Sequence, residues 1–385
     1  MHPFHRLFAL CAGAVLALPL PAAAEPLYTI TVVAGAGSTA YDLNIHGDVV
    51  GYMQGSDASR AYLFSNGILT DLGTLGGASS YASSINDHGQ VVGSAQLADG
   101  TSRGYLYSGG TMTALPSTSY TTAAAINNAG TITGSMAVDD PWANPQHAYT
   151  YAHGTYTDLG TFPYGDSSFA AAINNRGDVV GAAATYVDGA PNFPLNPFLY
   201  QNGTMTDLGN LGGIWSGALS INDRGQIVGY AGLEGIGGNL YPQTAFLYEN
   251  GVMRDLGGLV DNPDRDFSSV ARDINNRGQI VGVAGVDFGV EHGFLYDDAR
   301  MTDLNDLIDP ASGWVIKNAA AINEVRQIAA TACREGLCYA VRLDLVPAVP
   351  EPSTFMLLGG GLALLGWRRR RGTWRVTPPA PRCPS

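Results

Sequence analysis

The sequence predicts an all-β protein, a seven-bladed β-propeller of four-stranded repeats between two short end segments. Three observations predict it. A phrase of the form Ile-Asn-Asn/Asp-x-Gly-x-Val/Ile-Val-Gly recurs at blade-sized intervals. The segments between its copies alternate apolar and polar residues and are rich in Val, Ile, Tyr and Phe. No segment of the body carries sustained helical periodicity.

The chain has 385 residues and opens MHPFHRLFALCAGAVLALPLPAAAEP. His2, His5 and Arg6 form a cationic start. Leu7 to Leu18 is an apolar run too short to cross a bilayer comfortably. Ala22-Ala23-Ala24 is a small-residue cleavage site. Residues 1–24 are therefore expected to be a helical secretion signal, cut by signal peptidase after Ala24 to leave Glu25 as the mature start. Cys11 sits inside the apolar run behind Phe8-Ala9-Leu10, a poor lipobox.

The recurring phrase reads INDHGQVVG from Ile85, INNAGTITG from Ile126, INNRGDVVG from Ile173, INDRGQIVG from Ile221 and INNRGQIVG from Ile274. Degenerate copies are LNIHGDVVG from Leu43 and INEVRQIAA from Ile322. The asparagines Asn44, Asn86, Asn127, Asn174, Asn222, Asn275 and Asn323 are spaced by 42, 41, 47, 48, 53 and 48 residues. Each unit reads as four strands: a like 204–209, b like 217–222, c like 226–231 and d like 244–249. Asn/Asp and Gly between b and c supply hairpin chemistry, and Asn-Gly or Gly-Gly between d and a does the same.

One such sheet leaves apolar surface uncovered, so neighbouring units must stack. Residues 28–44 align with 205–222 as strands a and b, and 327–332 and 338–345 supply the last c and d. Seven complete units therefore lie between about 28 and 345, within a body spanning 25–346. Closure into a propeller protects the sheet edges; an open β-solenoid is the alternative. The division between blades stays open, because a circular repeat can be cut anywhere. A second phrase lies between the copies, as in FLYQNGTMTDLGNLGG from Phe198 and FLYENGVMRDLGGL from Phe246, with His147-Ala148-Tyr149 and His292-Gly293-Phe294 as variants. These phrases resemble the HAF repeat of bacterial extracellular proteins, a resemblance that says little about activity.

Without Arg6 and the six arginines of the last 18 residues, 13 basic residues face 33 acidic ones, and Lys317 is the only lysine. So acidic a body has no basic field for phosphates, which argues against nucleic acid. Cys333 and Cys338 flank a short connection between the last two strands, and export permits a disulfide there. No catalytic constellation stands out, and no cofactor is expected. Asp71, Asp158, Asp207, Asp255 and Asp303 share one repeat position, which favours a structural role such as bonding backbone within the blade. No metal site is assigned. Asp261, Asp264 and Asp266 are the acidic set a Ca²⁺ ion would use, but their spacing matches no strict loop pattern.

Because strands alternate in direction, a–b and c–d loops share one face and b–c turns the other. The insertions fall in c–d loops: 136–146 with Trp142, 184–196 with Tyr186 and Phe193, and 232–243 with Tyr241. Trp215 and Trp314 lie in or beside a–b loops. These six aromatics mark an expected ligand face, suited to sugar stacking or protein contact; local packing of the loops is the plainer reading.

The chain closes on VPAVPEPSTFMLLGGGLALLGWRRRR before a Pro-rich end at 372–385 that is expected to be disordered. Pro-Glu-Pro forms an extended element. Residues 355–367 form a short apolar span for a membrane helix, Trp367 suits the interface, and Arg368, Arg369, Arg370 and Arg371 hold the end on the cytoplasmic side. With Val349, Pro350, Glu351, Pro352 and Ser353, this three-part order resembles the PEP-CTERM sorting tail of Gram-negative bacteria, which is also catalogued as an ice-binding protein C-terminal domain. The resemblance covers 347–371. It implies membrane anchoring before sorting, recognition by an exosortase with cleavage near Pro-Glu-Pro, and release or attachment in an exopolysaccharide-rich envelope.

The leading expectation is a non-catalytic surface or matrix protein whose propeller binds envelope polysaccharide or a surface protein. A propeller hydrolase or lyase acting on glycan is the second. It would need paired carboxylates on the long-loop face, where Asp139, Asp140, Asp188 and Glu234 are the loop carboxylates. A spacer without a specific ligand is the third.

Overall fold

The computed structural model describes residues 27–117, 120–138, 145–185, 194–234, 242–261 and 267–346. The expected signal at 1–24, the sorting motif and residues 372–385 lie outside them. The body forms seven four-stranded antiparallel sheets, one per repeat, arranged as a closed propeller. Among the described residues, helix is limited to two short 3₁₀ turns, Leu304–Leu307 and Pro310–Ser312. None is long and apolar enough to cross a membrane.

The division left open by the repeat is resolved by strand pairing. Each blade runs b-c-d-a from the axis outward. Blade 1 is Ser38–Leu43, Val49–Gln54, Ser59–Ser65 and Ile68–Gly73. The inner strands of blades 2 to 6 are Gly76–Ile85, Ala125–Ile126, Ser168–Ile173, Gly217–Ile221 and Ser269–Ile274. Blade 7 takes Val315–Ile322, Ile328–Arg334 and Leu337–Leu345 from the end of the body and its outer strand, Tyr28–Ala36, from the start. Tyr28 pairs with Leu345 and Val32 with Val341, so the first strand locks the last blade. Without it that blade would present an unpaired edge.

The Val-Val-Gly glycine has a steric cause. A Cβ on Gly51, Gly93, Gly134, Gly181, Gly229 or Gly282 would sit about 2 Å from a carbonyl oxygen of the inner strand. Opposite each glycine on the third strand stands a buried aromatic: Tyr62, Tyr105, Tyr149, Phe198, Phe246 and Phe294. Blade 7 breaks the rule on both sides at once, with Ala330 opposite Val341. Its inner strand carries two register shifts against the second strand, between Ile316 and Asn318 and between Ala319 and Ala321.

The outer hairpins use the turn chemistry read from the sequence. Asn66, His153, Asn202 and Asn250 each have positive φ and are each followed by a positive-φ glycine; Gly109-Gly110 does the same in blade 2. The recurring aspartates bond backbone within the blade. Oδ1 of Asp71, Asp158, Asp207, Asp255 and Asp303 accepts the N–H two residues ahead at 2.7–2.8 Å. Each also meets the side chain eleven residues earlier on the third strand: Arg60, His147, Asn196, Thr244 and His292. The two histidines of the repeat are thus partners of these aspartates.

A serine two residues before the inner-strand alanine was not singled out by the sequence reading. Ser80, Ser168, Ser269 and Ser38 are buried, and each accepts a backbone N–H from the preceding blade while donating to a carbonyl at or just beyond the end of that blade's outer strand. In blade 5 the residue at the position of those N–H donors is Pro197, which has none to give, and the matching Ser216 accepts from Gly232 of its own blade.

Cys333 and Cys338 are disulfide-bonded, directly opposite each other in the last hairpin of the body.

Candidate functional site

The asparagines of the repeat do more than shape a turn. In all seven blades Asn Oδ1 accepts the N–H groups two and four residues ahead, closing the b–c turn. Its Nδ2 donates to the carbonyl of the next blade's asparagine at 2.9–3.3 Å. The seven bonds form a closed ring, and Asn323 to Asn44 at 2.9 Å completes it. Outside it lies a second ring. The backbone N–H of each following residue reaches the side-chain oxygen of Asp87, Asn128, Asn175, Asp223, Asn276 or Glu324 in the next blade at 2.7–3.0 Å. This ring is open at one seam, because Ile45 offers Glu324 no acceptor.

The rings surround one end of a central channel with a cavity of about 370 Å³. Its wall is formed by the two residues that precede the Ile-Asn phrase on each inner strand. In blades 1, 2, 4, 5, 6 and 7 a bulge at this point shifts the pairing register with the second strand. Blades 3, 4 and 7 contribute Ala-Ala, as Ala124-Ala125, Ala171-Ala172 and Ala320-Ala321. Blades 2 and 5 contribute Ser83-Ser84 and Leu219-Ser220. Blades 1 and 6, which flank blade 7, contribute Tyr41-Asp42 and Arg272-Asp273. The channel is lopsided in chemistry although the scaffold repeats.

Asp42 Oδ1 accepts the N–H of Leu43 at 2.8 Å, and its Oδ2 accepts that of Ile85 in the next blade at 2.9 Å. Asp273 accepts from Ser220 Oγ at 2.6 Å and from the Ile322 N–H at 2.8 Å. Protein surrounds both carboxylates, while part of each still faces the channel. Desolvation, reinforced by Asp273, pushes Asp42 up to about 7. Desolvation also raises Asp273, against the hydrogen bonds it accepts. Arg272 donates from Nε to Asn318 Oδ1 at 2.8 Å, and desolvation lowers its pKa. The Tyr41 ring lies 5.8 Å from Tyr52, which packs edge-on to Tyr81 at 5.2 Å. The sequence reading missed these channel residues. Their signal was present as a departure from Ala or Ser just before Ile-Asn.

Of the six aromatics expected on the long-loop face, Trp142, Tyr186, Phe193 and Tyr241 lie outside the described residues. Trp215 is half-buried where its loop meets Leu195 in an isolated bridge. Trp314 is packed from two sides: Tyr339 meets it edge-on at 5.4 Å, and the Arg334 guanidinium lies 4.5 Å from its ring centre. The same face also presents Tyr164 and Phe288, 87% and 92% exposed at loop tips, which sequence reasoning did not single out. Of the acidic trio, Asp261 is exposed, and Asp264 and Asp266 lie outside the described residues. Among the described residues no group of three or more His, Cys, Asp or Glu side chains could hold a metal ion.

Residues 348–371 match the model of the PEP-CTERM protein-sorting motif. The chain carries this motif, which implies an exported protein, membrane-anchored before processing by an exosortase. No curated protein matches the sequence. Among solved structures, the chain is similar to the β-propeller domain of the Trilobed protease from Pyrococcus furiosus, at 8% identity and TM-score 0.54, over 83% of this chain and 99% of that one. It is also similar to a Mycobacterium tuberculosis puromycin-hydrolyzing peptidase, at 11% identity and TM-score 0.53, over 82% of this chain and 53% of that one. The acylaminoacyl peptidase of Pyrococcus horikoshii matches at 11% identity and TM-score 0.52, over 80% of this chain and 51% of that one. The chain thus spans about half the length of the two peptidases. At these identities the likeness is one of fold alone. The propeller of the Trilobed protease is described as having an open velcro topology; here the first strand closes the last blade.

Proposed function

We propose that this chain is a non-catalytic surface or matrix protein whose propeller holds envelope polysaccharide or a surface protein through its long-loop face. One observation carries the reading: a sorting motif at 348–371 follows a propeller whose two faces differ. The b–c turns repeat one hydrogen-bonded geometry in all seven blades, whereas the opposite face collects the loops of unequal length. A rigid scaffold with variation gathered on one face is how propellers present binding surfaces. The secretion signal at 1–24 and the short membrane helix at 355–367 belong to the same reading.

The test is retention of the organism's own envelope polysaccharide and surface proteins by the mature chain, compared with a variant carrying Trp142→Ala, Tyr186→Ala and Tyr241→Ala. Retention by the wild type and its loss in the triple variant support the reading. No retention by the wild type, or new reducing ends released from the glycan, removes it.

A further inference from the structure

We propose that the central channel is a second binding site, for a neutral saccharide unit. Tyr41 and Arg272 hold the sugar from blades 1 and 6, and Asp42 and Asp273 accept its hydroxyl hydrogen bonds. The inference deepens the polysaccharide reading above and rests on it.

The repeat supplies an internal control. Blades 3, 4 and 7 carry Ala-Ala at the channel wall, so the scaffold requires no side chain larger than a methyl group there. Charged and aromatic groups occur in the two blades flanking blade 7. Two carboxylates in a partly desolvated channel cost stability, and the other blades avoid that cost. Asp42 and Asp273 also tie the backbone of a neighbouring blade, but the exposed Tyr41 and Arg272 side chains stand where three blades need only alanine.

The chemistry selects the ligand class. The two carboxylates oppose a polyanion, and Arg272 opposes an organic cation. Each Asp42 and Asp273 oxygen already accepts a hydrogen bond from the protein, and the described residues offer no third metal ligand nearby. A neutral polyol needs acceptors and donors together, and the channel wall sets Ser83, Tyr41 and Arg272 beside the two carboxylates, which already take the Ser84 and Ser220 hydroxyl hydrogens. Tyr41 is 44% exposed and backed by Tyr52, the disposition a sugar face requires. The Nε bond to Asn318 fixes one edge of the Arg272 guanidinium. A cavity of about 370 Å³ lies within the range of about 300–1,000 Å³ that small-molecule sites occupy.

The test uses the full mature chain with D-glucose, D-galactose and D-mannose, each at millimolar concentration, read by saturation-transfer NMR and titration. Tyr41→Ala and Arg272→Ala install the residue that blades 3, 4 and 7 carry, so both should keep the fold. Arg272→Ser, the blade 2 residue, repeats the test if the alanine variant does not fold. The expected result is binding of at least one hexose, weakened about tenfold or more in each variant. Binding of none of the three, or equal binding by wild type and variants, overturns the proposal. Retention of whole polysaccharide is measured in parallel. If both channel variants retain it while no hexose binds the wild type, the channel proposal fails and the loop-face reading stands. If the wild type retains none, the loop-face reading fails on its own measurement.

Discussion

Replacing Asn222 by alanine removes one link of the asparagine ring and tests how much that ring stabilises the propeller. Asn222 is buried. Its Oδ1 accepts the N–H groups of Arg224 and Gln226, both at 3.0 Å. Its Nδ2 donates to the Asn275 carbonyl at 3.0 Å and to Gln226 Oε1 at 2.7 Å. Alanine leaves the Arg224 and Gln226 N–H groups without partners, while the Asn275 carbonyl keeps the Gly278 N–H; a buried unsatisfied group costs about 1–3 kcal/mol. The turn lies at the end of the channel, where water reaches the Arg224 side, so the lower end applies to that group. The expected loss is about 2–4 kcal/mol. In a body of this size that lowers Tm by roughly 2 °C for each kcal/mol. Urea denaturation followed by circular dichroism and by tryptophan fluorescence reads the change, and coincidence of the two probes checks that a single transition is being measured. Asn66→Gly is the control. Asn66 holds φ +50 in an exposed outer hairpin, so glycine there should change stability by no more than about 0.5 kcal/mol. If Asn222→Ala stays within about 1 kcal/mol of wild type, the ring is not a structural closure and the argument for it is wrong.

Three further predictions follow from the same geometry. Gly282→Ala puts a Cβ 2.0 Å from the Val270 carbonyl and should cost more than about 3 kcal/mol or abolish soluble expression; a mild effect would show that the inner strands yield more readily than their bulged pairing suggests. Tyr149→Phe should cost about 1 kcal/mol, because its hydroxyl donates to the Thr122 carbonyl at 2.7 Å. Tyr105→Phe should be neutral or stabilising, because the Tyr105 hydroxyl is buried without a partner among the described residues; equal costs in melting experiments would contradict the distinction. Asp42→Ala should flatten the pH dependence of stability. The folded state raises Asp42 from 3.8 to about 7 and so binds its proton more tightly than the unfolded chain does. Its contribution is then full below about pH 4 and is lost as pH rises to about 7, at most about 4 kcal/mol. Unfolding midpoints measured across that range that rise with pH in the wild type, or slope alike in both proteins, would refute this.

Much of the fold was legible because each repeat states its own hairpin chemistry. The seven copies, the Asn-Gly outer turns and the backbone role of the recurring aspartates could all be read from spacing and residue type. The blade division could not, since a circular repeat has no internal mark for where a sheet begins; the pairing of Tyr28–Ala36 with Leu337–Leu345 settles it. The asparagines read as turn residues because their contacts four residues ahead are local, while the Nδ2 bond to the next blade joins residues 41 to 279 positions apart. The channel residues escaped for a related reason. A bulge places Tyr41 and Asp42, and Arg272 and Asp273, together on the channel wall, and strict strand alternation would send one of each pair away from it. Trp314 shows the opposite failure: a tryptophan beside a loop looks available in sequence, but Arg334 and Tyr339 cover it.

Export and sorting of this propeller through its tail are tested by mass spectrometry of the C-terminus of the protein recovered from cells. The motif at 348–371 predicts that the mature chain ends near Pro352, with the apolar segment and Arg368–Arg371 removed. A mature protein that still carries Arg368–Arg371 would contradict exosortase processing and leave a plain membrane anchor in its place.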